Sequence, residues 1–339
     1  MIFYLVTKEA NYTMDVYMRS WGPSPGSRLQ IIFYEDLLRF RNFKPGTYIF
    51  SDLERLSPPR LKIACQVWNA LAEAGSRVRL LNDPSRVLCR YDLLQKLFDD
   101  RKNSFKAVRA TESFDALRYP VFVREENQHN GNLTPQIYNP SDLAREVRSL
   151  RLQGYRSRNL LIVEFCDTAD SAGVFRKYSA FIVGGEILPR HVLFSGHWNV
   201  KKPQLTDPYL DQEQDEYLRT NPHKSWLTET FNLSGIEYGR IDYSLKGNKP
   251  QVWEINTNPT VRQLTPRLTA AFEVIDTQII PDGNKPIAIK QKLAKAMAIE
   301  ERRQWNRLLI QKVARKLASS QYMKPFEPVM NSLARYFSP

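Results

Sequence analysis

Tyr238-Gly-Arg-Ile-Asp-Tyr-Ser-Leu245 and Gln251-Val-Trp-Glu-Ile-Asn-Thr-Asn-Pro259, joined by Lys246-Gly-Asn-Lys-Pro250, are the stretch from which the rest of the chain can be read. Alternate residues of a strand face opposite sides, so Ile241, Tyr243 and Leu245 share one face and Arg240, Asp242 and Ser244 the other. In the second run Trp253 and Ile255 are the apolar positions, and Val252, Glu254 and Asn256 point the other way. Gly and Asn in the connection suit a short hairpin loop. Centring that loop on Asn248 sets Asp242 opposite Glu254, with Cβ atoms about 4.5–5.5 Å apart. Asn256 is the next residue on that face. Two carboxylates and an amide oxygen gathered without basic partners repel one another unless a cation lies between them, and hard oxygen donors suit Mg²⁺ or Mn²⁺. A solvated hairpin with its polar face in water would give the same alternation.

The surrounding chain sets the context for this hairpin. Its 339 residues allow two or three domains, and 42 % apolar with 25 % charged residues is ordinary for a globular protein. Ile2 to Val6 is shorter than the apolar part of a signal peptide, and no run reaches the roughly 18 apolar residues of a membrane span, so a cytoplasmic protein is expected. Cys65, Cys89 and Cys166 are odd in number and widely spaced, which argues against a disulfide framework or zinc site. The net charge of +13 raises the question of nucleic acid, since clustered Lys and Arg gain affinity for phosphate by releasing counterions. Much of that excess is local: residues 286–320 hold nine Lys and Arg against two Glu. There Ile289, Leu293, Met297, Trp305, Leu309, Val313 and Leu317 recur with helical spacing from Ile287 onward, predicting an amphipathic helix or helix pair. An apolar stripe inside a basic helix must be covered, so packing on the protein body or in a homodimer contact is expected before nucleic-acid binding.

Upstream, Ile2–Thr7, Leu29–Tyr34 and Gly46–Phe50 read as strands, residues 59–74 as a helix stopped by Gly75, and Arg77–Leu81 as a further strand. This alternation predicts a small α/β unit ending near Asn82-Asp83-Pro84. Arg90–Leu97 reads as a helix, Tyr119–Arg124 as a strand, and Ser141–Leu150 as a helix with Ser141 as its N-cap. Asn159–Glu164 reads as a buried strand completed by Phe165 and Cys166. Phe175–Arg190 alternates around Gly184-Gly185 as a hairpin, and Asp215–Phe231 reads as one helix.

Gly239-Arg-Ile-Asp242 followed by Glu254-Ile-Asn-Thr-Asn-Pro259 resembles the magnesium-binding end of the ATP-grasp superfamily, and is especially similar to D-alanine:D-alanine ligases, glutathione synthetases and ribosomal-protein glutamate ligases. The resemblance spans roughly residues 76–262. It implies an α/β (α+β) ATP-grasp fold with an N-terminal pre-grasp domain over 1–84, grasp subdomains over 85–265, and a basic helical extension over 266–339. It implies Asp242, Glu254 and Asn256 as ligands of Mg²⁺ (or Mn²⁺), and Arg240 as the group that steadies the transferring phosphoryl.

For ATP the resemblance implies Lys96 and Arg124 on the phosphates, backbone near Glu164 and Cys166 on the adenine edge, and Asp170 on the ribose, with Asp167 as an alternative. The Phe175–Arg190 hairpin resembles one whose basic residues face the triphosphate and acceptor, and here Arg176, Lys177 and Arg190 are nearby stand-ins rather than matched residues. The chain departs from the family in three places. Arg124 stands where a lysine is usual, Glu125–Asn132 replaces a glycine-rich phosphate loop, and Ser179 stands where many relatives have an arginine. His129, in that loop, fits either a phosphate or substrate contact or an ordinary loop histidine.

The expected activity is ATP-dependent joining of a carboxylate to an amine through an acylphosphate. A catalytically silent nucleotide-binding relative and a basic nucleic-acid-binding protein are the alternatives.

Overall fold

The computed structural model describes residues 1–21, 29–40, 42–129, 131–261, 266–277 and 286–288. The N-terminal strands are β1 (Ile2–Val6), β2 (Leu29–Phe33), the two-residue β3 (Asn42–Phe43), β4 (Gly46–Phe50) and β5 (Val78–Leu81). All but β3 form one parallel sheet in the order β2-β1-β4-β5. Parallel neighbours need crossovers, and α1 (Tyr12–Trp21) and α2 (Pro58–Ala72) lie within them. Every residue of β1 and β4 is buried, as their continuous apolar composition requires.

A second, antiparallel sheet of β6 (Ala107–Arg109), β7 (Val121–Glu125) and β8 (Leu160–Glu164) has the order β6-β8-β7. It follows α3 (Arg90–Asp99) and includes α4 (Pro140–Leu152) between β7 and β8. The third sheet is antiparallel throughout: β9 (Phe175–Val183), β10 (Glu186–Ser195), β11 (Tyr238–Lys246) and β12 (Lys249–Asn256), in the order β10-β9-β11-β12. The fold is therefore mixed α/β, with parallel and antiparallel sheets. Among the described residues no helix is long and apolar enough to cross a membrane.

The third sheet has two unlike faces, and this positions the site. Tyr178, Ala180, Ile182, Ile241 and Tyr243 pack against Leu93 and Leu97 of α3, Tyr217 of α5 (Pro208–Thr220), and Leu227 and Phe231 of α6 (Lys224–Ser234). Lys177, Ser179, Arg240 and Asp242 occupy the opposite face. At one end the sheet meets the N-terminal strands, where Phe181, Val183 and Tyr238 join Tyr4 and Ile49 with Leu268, Phe272 and Ile275 of α7 (Pro266–Thr277). The carboxyl ends of β1 and β4 then reach the end of β12. The Tyr4 hydroxyl donates to Asn258 Oδ1 at 2.9 Å, and the Thr257 hydroxyl to Glu54 Oε2 at 2.7 Å.

Three local expectations are corrected. Asn139, not Ser141, caps α4: its Oδ1 accepts the Asp142 N–H at 2.9 Å, and Pro140 enters the first turn, where no N–H is needed. The single helix expected over Asp215–Phe231 is two, because Asn221 takes a left-handed conformation (φ 48°) ahead of Pro222. Ile287 and Ala288 form a strand, β13, antiparallel to β3, rather than the start of a helix. The rest of the predicted basic helix lies outside the described residues.

Candidate functional site

The hairpin register places the two carboxylates as the alternation requires. Arg240 pairs with Asn256, Ile241 with Ile255 and Asp242 with Glu254; the register then jumps to Tyr243 with Val252. Trp253 is the extra residue of a β-bulge, a feature that re-aims side chains where a ladder is interrupted. Val252 consequently faces the helix-covered side and is fully buried there, while Trp253 comes round to the polar face and its Nε1–H donates to Ser244 Oγ at 2.9 Å. The faces read from simple alternation are corrected at these two positions. Gly247, at φ +57°, and Asn248 make the two-residue connection.

A row of directly paired residues crosses the sheet on this face: Glu254 on β12, Asp242 on β11, Ser179 on β9 and His191 on β10. The Ser179 hydroxyl donates to Asp242 Oδ1 at 2.9 Å, Arg240 Nε approaches the same oxygen at 3.2 Å, and Lys177 Nζ lies 3.7 Å from Oδ2. Burial alone would raise the Asp242 pKa, but Arg240 and Lys177 hold it below the usual carboxylate range.

Glu254 is gripped more tightly and from elsewhere. Its Oε2 accepts from Arg90 Nη2 at 2.5 Å and Arg124 Nη2 at 2.7 Å, and its Oε1 is 3.6 Å from His129 Nδ1. Against burial, these groups hold its carboxyl well below normal. Burial and the adjacent Arg90 pull the Arg124 guanidinium down to about 10. The carboxylates thus have basic partners, contrary to the unpaired cluster expected from the strands alone.

Arg90 organises the loop that replaces a glycine-rich one. Its buried side chain donates to the carbonyls of Glu125 (3.0 Å), Glu126 (2.5 Å) and Gln128 (2.8 Å), and lies 3.1 Å from His129 Nδ1. Arg109 grips the Glu126 carboxylate with two bonds of 2.7 Å. His129 Nε2 meets Glu54 Oε1 at 3.0 Å, so the same loop is tied to the N-terminal sheet. Burial alone would lower the His129 pKa, but the carboxylates of Glu254 and Glu54 on either side raise it above the usual imidazole value. The Glu54 carboxyl, which burial would raise, is held down to about 2, chiefly by His129 and Thr257.

Between this face and the sheet of β6, β7 and β8 lies a cavity of about 340 Å³. That is within the range of small-ligand sites. One part of its wall is aromatic: Phe122, Phe165, Trp198 and Trp253, with Trp198 packed on Phe122 and Phe165 at centroid distances of 5.1 and 5.7 Å. The other part is charged and polar, formed by Arg124, His129, Lys177, Arg240, Asp242, Glu254 and Asn256. A flat heteroaromatic ring suits the first part and an anionic tail the second.

Of the residues singled out from sequence, Arg124, Cys166, Lys177, Arg240, Asp242, Glu254 and Asn256 line this cavity together. Lys96, Glu164 and Asp170 are placed elsewhere, and Asp167, Arg176 and Arg190 also lie outside the lining. Lys96 sits on the exposed side of α3 and pairs with Asp100 at 2.9 Å, because Arg90, Leu93, Leu94 and Leu97 take the inward positions. The Glu164 carboxylate turns to Arg118 at 2.7 Å, its N–H is taken by the Lys106 carbonyl, and that of Phe165 by Pro120. Asp170 accepts from the backbone of Ala172 and Val174 and pairs with Arg176 at 2.6 Å. Arg90, Trp198 and Lys201 were not singled out. Arg90 was detectable as the charged member of an otherwise apolar i, i+3, i+4, i+7 stripe, whereas Trp198 and Lys201 lie in a non-repetitive segment that carries no such signal.

The donor set fits a hard divalent cation. Asp242 and Glu254 are both ionised oxygen donors; among the described residues Glu254 Oε1 has the 3.6 Å contact to His129, and Asn256 Oδ1 accepts a bond from the Asn258 N–H, leaving a lone pair.

No protein-family model matches the chain, and no curated protein matches it. Solved structures that it resembles include D-alanine–D-alanine ligase from Bacillus anthracis complexed with ATP: 12 % identity and a TM-score of 0.47, covering 89 % of this chain and 99 % of that one. An L-amino acid ligase from Bacillus licheniformis is 15 % identical with a TM-score of 0.42, covering 76 % of this chain and 67 % of that one. A RimK domain protein ATP-grasp from Sphaerobacter thermophilus is 13 % identical with a TM-score of 0.43, covering 82 % of this chain and 98 % of that one.

Proposed function

We propose that the protein is an ATP-dependent carboxylate–amine ligase of the ATP-grasp kind. The observation that carries this reading is the convergence of Asp242, Glu254 and Asn256 with Arg240 on one sheet face, opening on a cavity with an aromatic and a cationic part. In the proposed reaction a substrate carboxylate oxygen attacks the γ-phosphorus of ATP and ADP leaves. An amine then attacks the resulting acylphosphate, releasing phosphate and forming an amide.

Each side chain has a physical task in that sequence. Trp198, Phe122 and Phe165 would take the adenine ring by stacking and edge contacts. Arg124, Lys177 and Arg240 supply fixed positive charge for the triphosphate, offsetting its repulsion of an anionic nucleophile. Arg240, on the strand face of Asp242, is placed to steady the phosphoryl oxygens during transfer. A Mg²⁺ or Mn²⁺ ion held by Asp242, Glu254 and Asn256 would neutralise developing phosphate charge when bound. No side-chain nucleophile is required.

The grip of Arg90 and Arg124 on Glu254 favours a second reading, a nucleotide-binding protein without turnover, since a carboxylate so occupied is less free for other ligands. ADP release during a screen of amino acids and short peptides separates the two. A ligase forms ADP with at least one carboxylate and amine pair, and Glu254→Gln lowers that rate by a factor corresponding to about 3 kcal/mol or more. Nucleotide binding with no ADP formed from any pair would support the silent reading, and an undiminished rate in Glu254→Gln would remove Glu254 from the centre.

A further inference from the structure

The two arginines on Glu254 are not equivalent. Arg90 is committed: its Nη1 donates to the carbonyls of Glu125, Glu126 and Gln128 while its Nη2 reaches Glu254 and His129, and it lies outside the cavity lining. Arg124 does line the cavity. Among the described residues its guanidinium makes one hydrogen bond, from Nη2 to Glu254 Oε2 at 2.7 Å, and its buried Nε has no hydrogen-bond partner. Burial and the neighbouring Arg90 both oppose its charge in this position, and Glu254 answers them. One cation is therefore built into the loop after β7, while the other is attached by a single bond beside the cavity.

The same contacts leave the two carboxylates more than answered. Arg90 and Arg124 face Glu254, and Lys177 and Arg240 face Asp242, at 2.5 to 3.7 Å. Four cations on two carboxylates give a local excess of positive charge, so a divalent cation approaching alone meets net repulsion. An anion in the cavity changes the balance at Arg124, because a guanidinium fork binds phosphate and carboxylate by the same planar geometry. Of the pair on Glu254, Arg124 is the one that faces such an anion.

We propose that Arg124 is a latch: it holds Glu254 until a nucleotide phosphate draws it away, so that Glu254 is released to a divalent cation only together with nucleotide. This rests on the ligase reading of the cavity. Glu254 and the phosphate compete for one guanidinium, so a ligand that satisfies either of them favours binding at the other, and the coupling is reciprocal. Arg90 keeps its hold on Glu254 throughout and fixes the carboxylate in place while Arg124 changes partner. The grip on Glu254 then sets the order of binding instead of abolishing turnover.

Two sets of titrations on the full-length protein test the competition from its two sides. Mn²⁺ alone, followed by the electron paramagnetic resonance signal of the free ion, is titrated into wild type and Arg124→Gln. A non-hydrolysable ATP analogue, in the presence of a chelator, is titrated by calorimetry into wild type, Glu254→Gln, Arg124→Gln and the double variant. Arg124→Gln is expected to bind Mn²⁺ at least tenfold more tightly than wild type does. Glu254→Gln is expected to bind the metal-free analogue at least tenfold more tightly than wild type does, a gain that shrinks below threefold in the Arg124→Gln background. The two sets rest on different single variants, so one that does not fold leaves the other to decide. Unchanged Mn²⁺ affinity in Arg124→Gln overturns the latch. So does a gain from Glu254→Gln of equal size in both backgrounds, which is the general effect of removing a negative charge. Wild type that binds the analogue neither with Mg²⁺ nor without it overturns the ligase reading and the latch with it, whereas analogue binding without the competition overturns the latch alone.

Discussion

Asp242 and Glu254 are paired residues of one hairpin, on one face, yet they are held in different ways. Among the described residues, the groups that answer Asp242 (Ser179, Lys177 and Arg240) belong to its own four-stranded sheet. Among the described residues, those that answer Glu254 come from outside it: Arg90 from α3, Arg124 from β7 and His129 from the loop after β7. Asp242 is thus held within its own sheet, while Glu254 fastens α3, β7 and the loop after β7 to that sheet. The contrast teaches that equivalent places in a ladder need not have equivalent energetic roles.

Matched charge removals test that contrast. Glu254→Gln leaves Arg90 and Arg124 facing each other in a buried setting without their counter-charge, and removing one partner of such a group costs about 3–5 kcal/mol. Asp242→Asn keeps the Ser179 hydrogen bond, and Lys177 and Arg240 retain access to water, so the loss is about 1.5 kcal/mol, on the order of one charge-assisted hydrogen bond. Urea unfolding of both variants at neutral pH measures the difference. Equal losses would break the contrast.

At the far end of the same row, His191 makes stability depend on pH. Its imidazole is pushed from 6.5 to about 4, first by burial and then by Arg240, Arg190 and Lys177, with Asp242 opposing them. Unfolded, it takes up a proton near pH 6.5, so protonation favours the unfolded chain between those two values. Its contribution is full above pH 6.5 and is lost as the pH falls towards 4, by up to about 3 kcal/mol. Unfolding of wild type and His191→Gln from pH 7 to 4 should show a shallower decline in the variant; parallel declines would contradict the assignment.

The smallest effect is expected at Lys96. Its exposed pair with Asp100 is of the i, i+4 kind, so Lys96→Ala should change stability by no more than about 0.5 kcal/mol. It should leave ATP affinity unchanged in the same calorimetric titration, while a marked loss of affinity would return Lys96 to the site.

What was legible in the sequence follows the same division. The Asp242–Glu254 pairing could be read because a period of two and a Gly-Asn turn leave little freedom. The bulge could not, since Val252 and Trp253 are both apolar and alternation has no means of marking an extra residue. The break between α5 and α6 was written in Asn221-Pro222 but was overridden by the helical spacing around it. Lys96 was singled out by resemblance, whereas the helical period of α3 gives the inward place to Arg90. The loop from Glu125 onward was legible as glycine-poor; that it is instead pinned by Arg90 and Arg109 depends on long-range contacts that no local pattern carries.

The central claim is that the cavity between the two antiparallel sheets receives a nucleotide triphosphate, and the fluorescence of Trp198 and Trp253 in its wall provides the readout. Titration of the full-length protein with ATP and Mg²⁺ should change that fluorescence saturably, and ligand at 100 times its dissociation constant should add about 2.7 kcal/mol to the unfolding free energy. Trp198→Phe should remove most of the fluorescence change while retaining the stabilisation. Millimolar ATP that neither alters the fluorescence nor stabilises the protein would contradict the account.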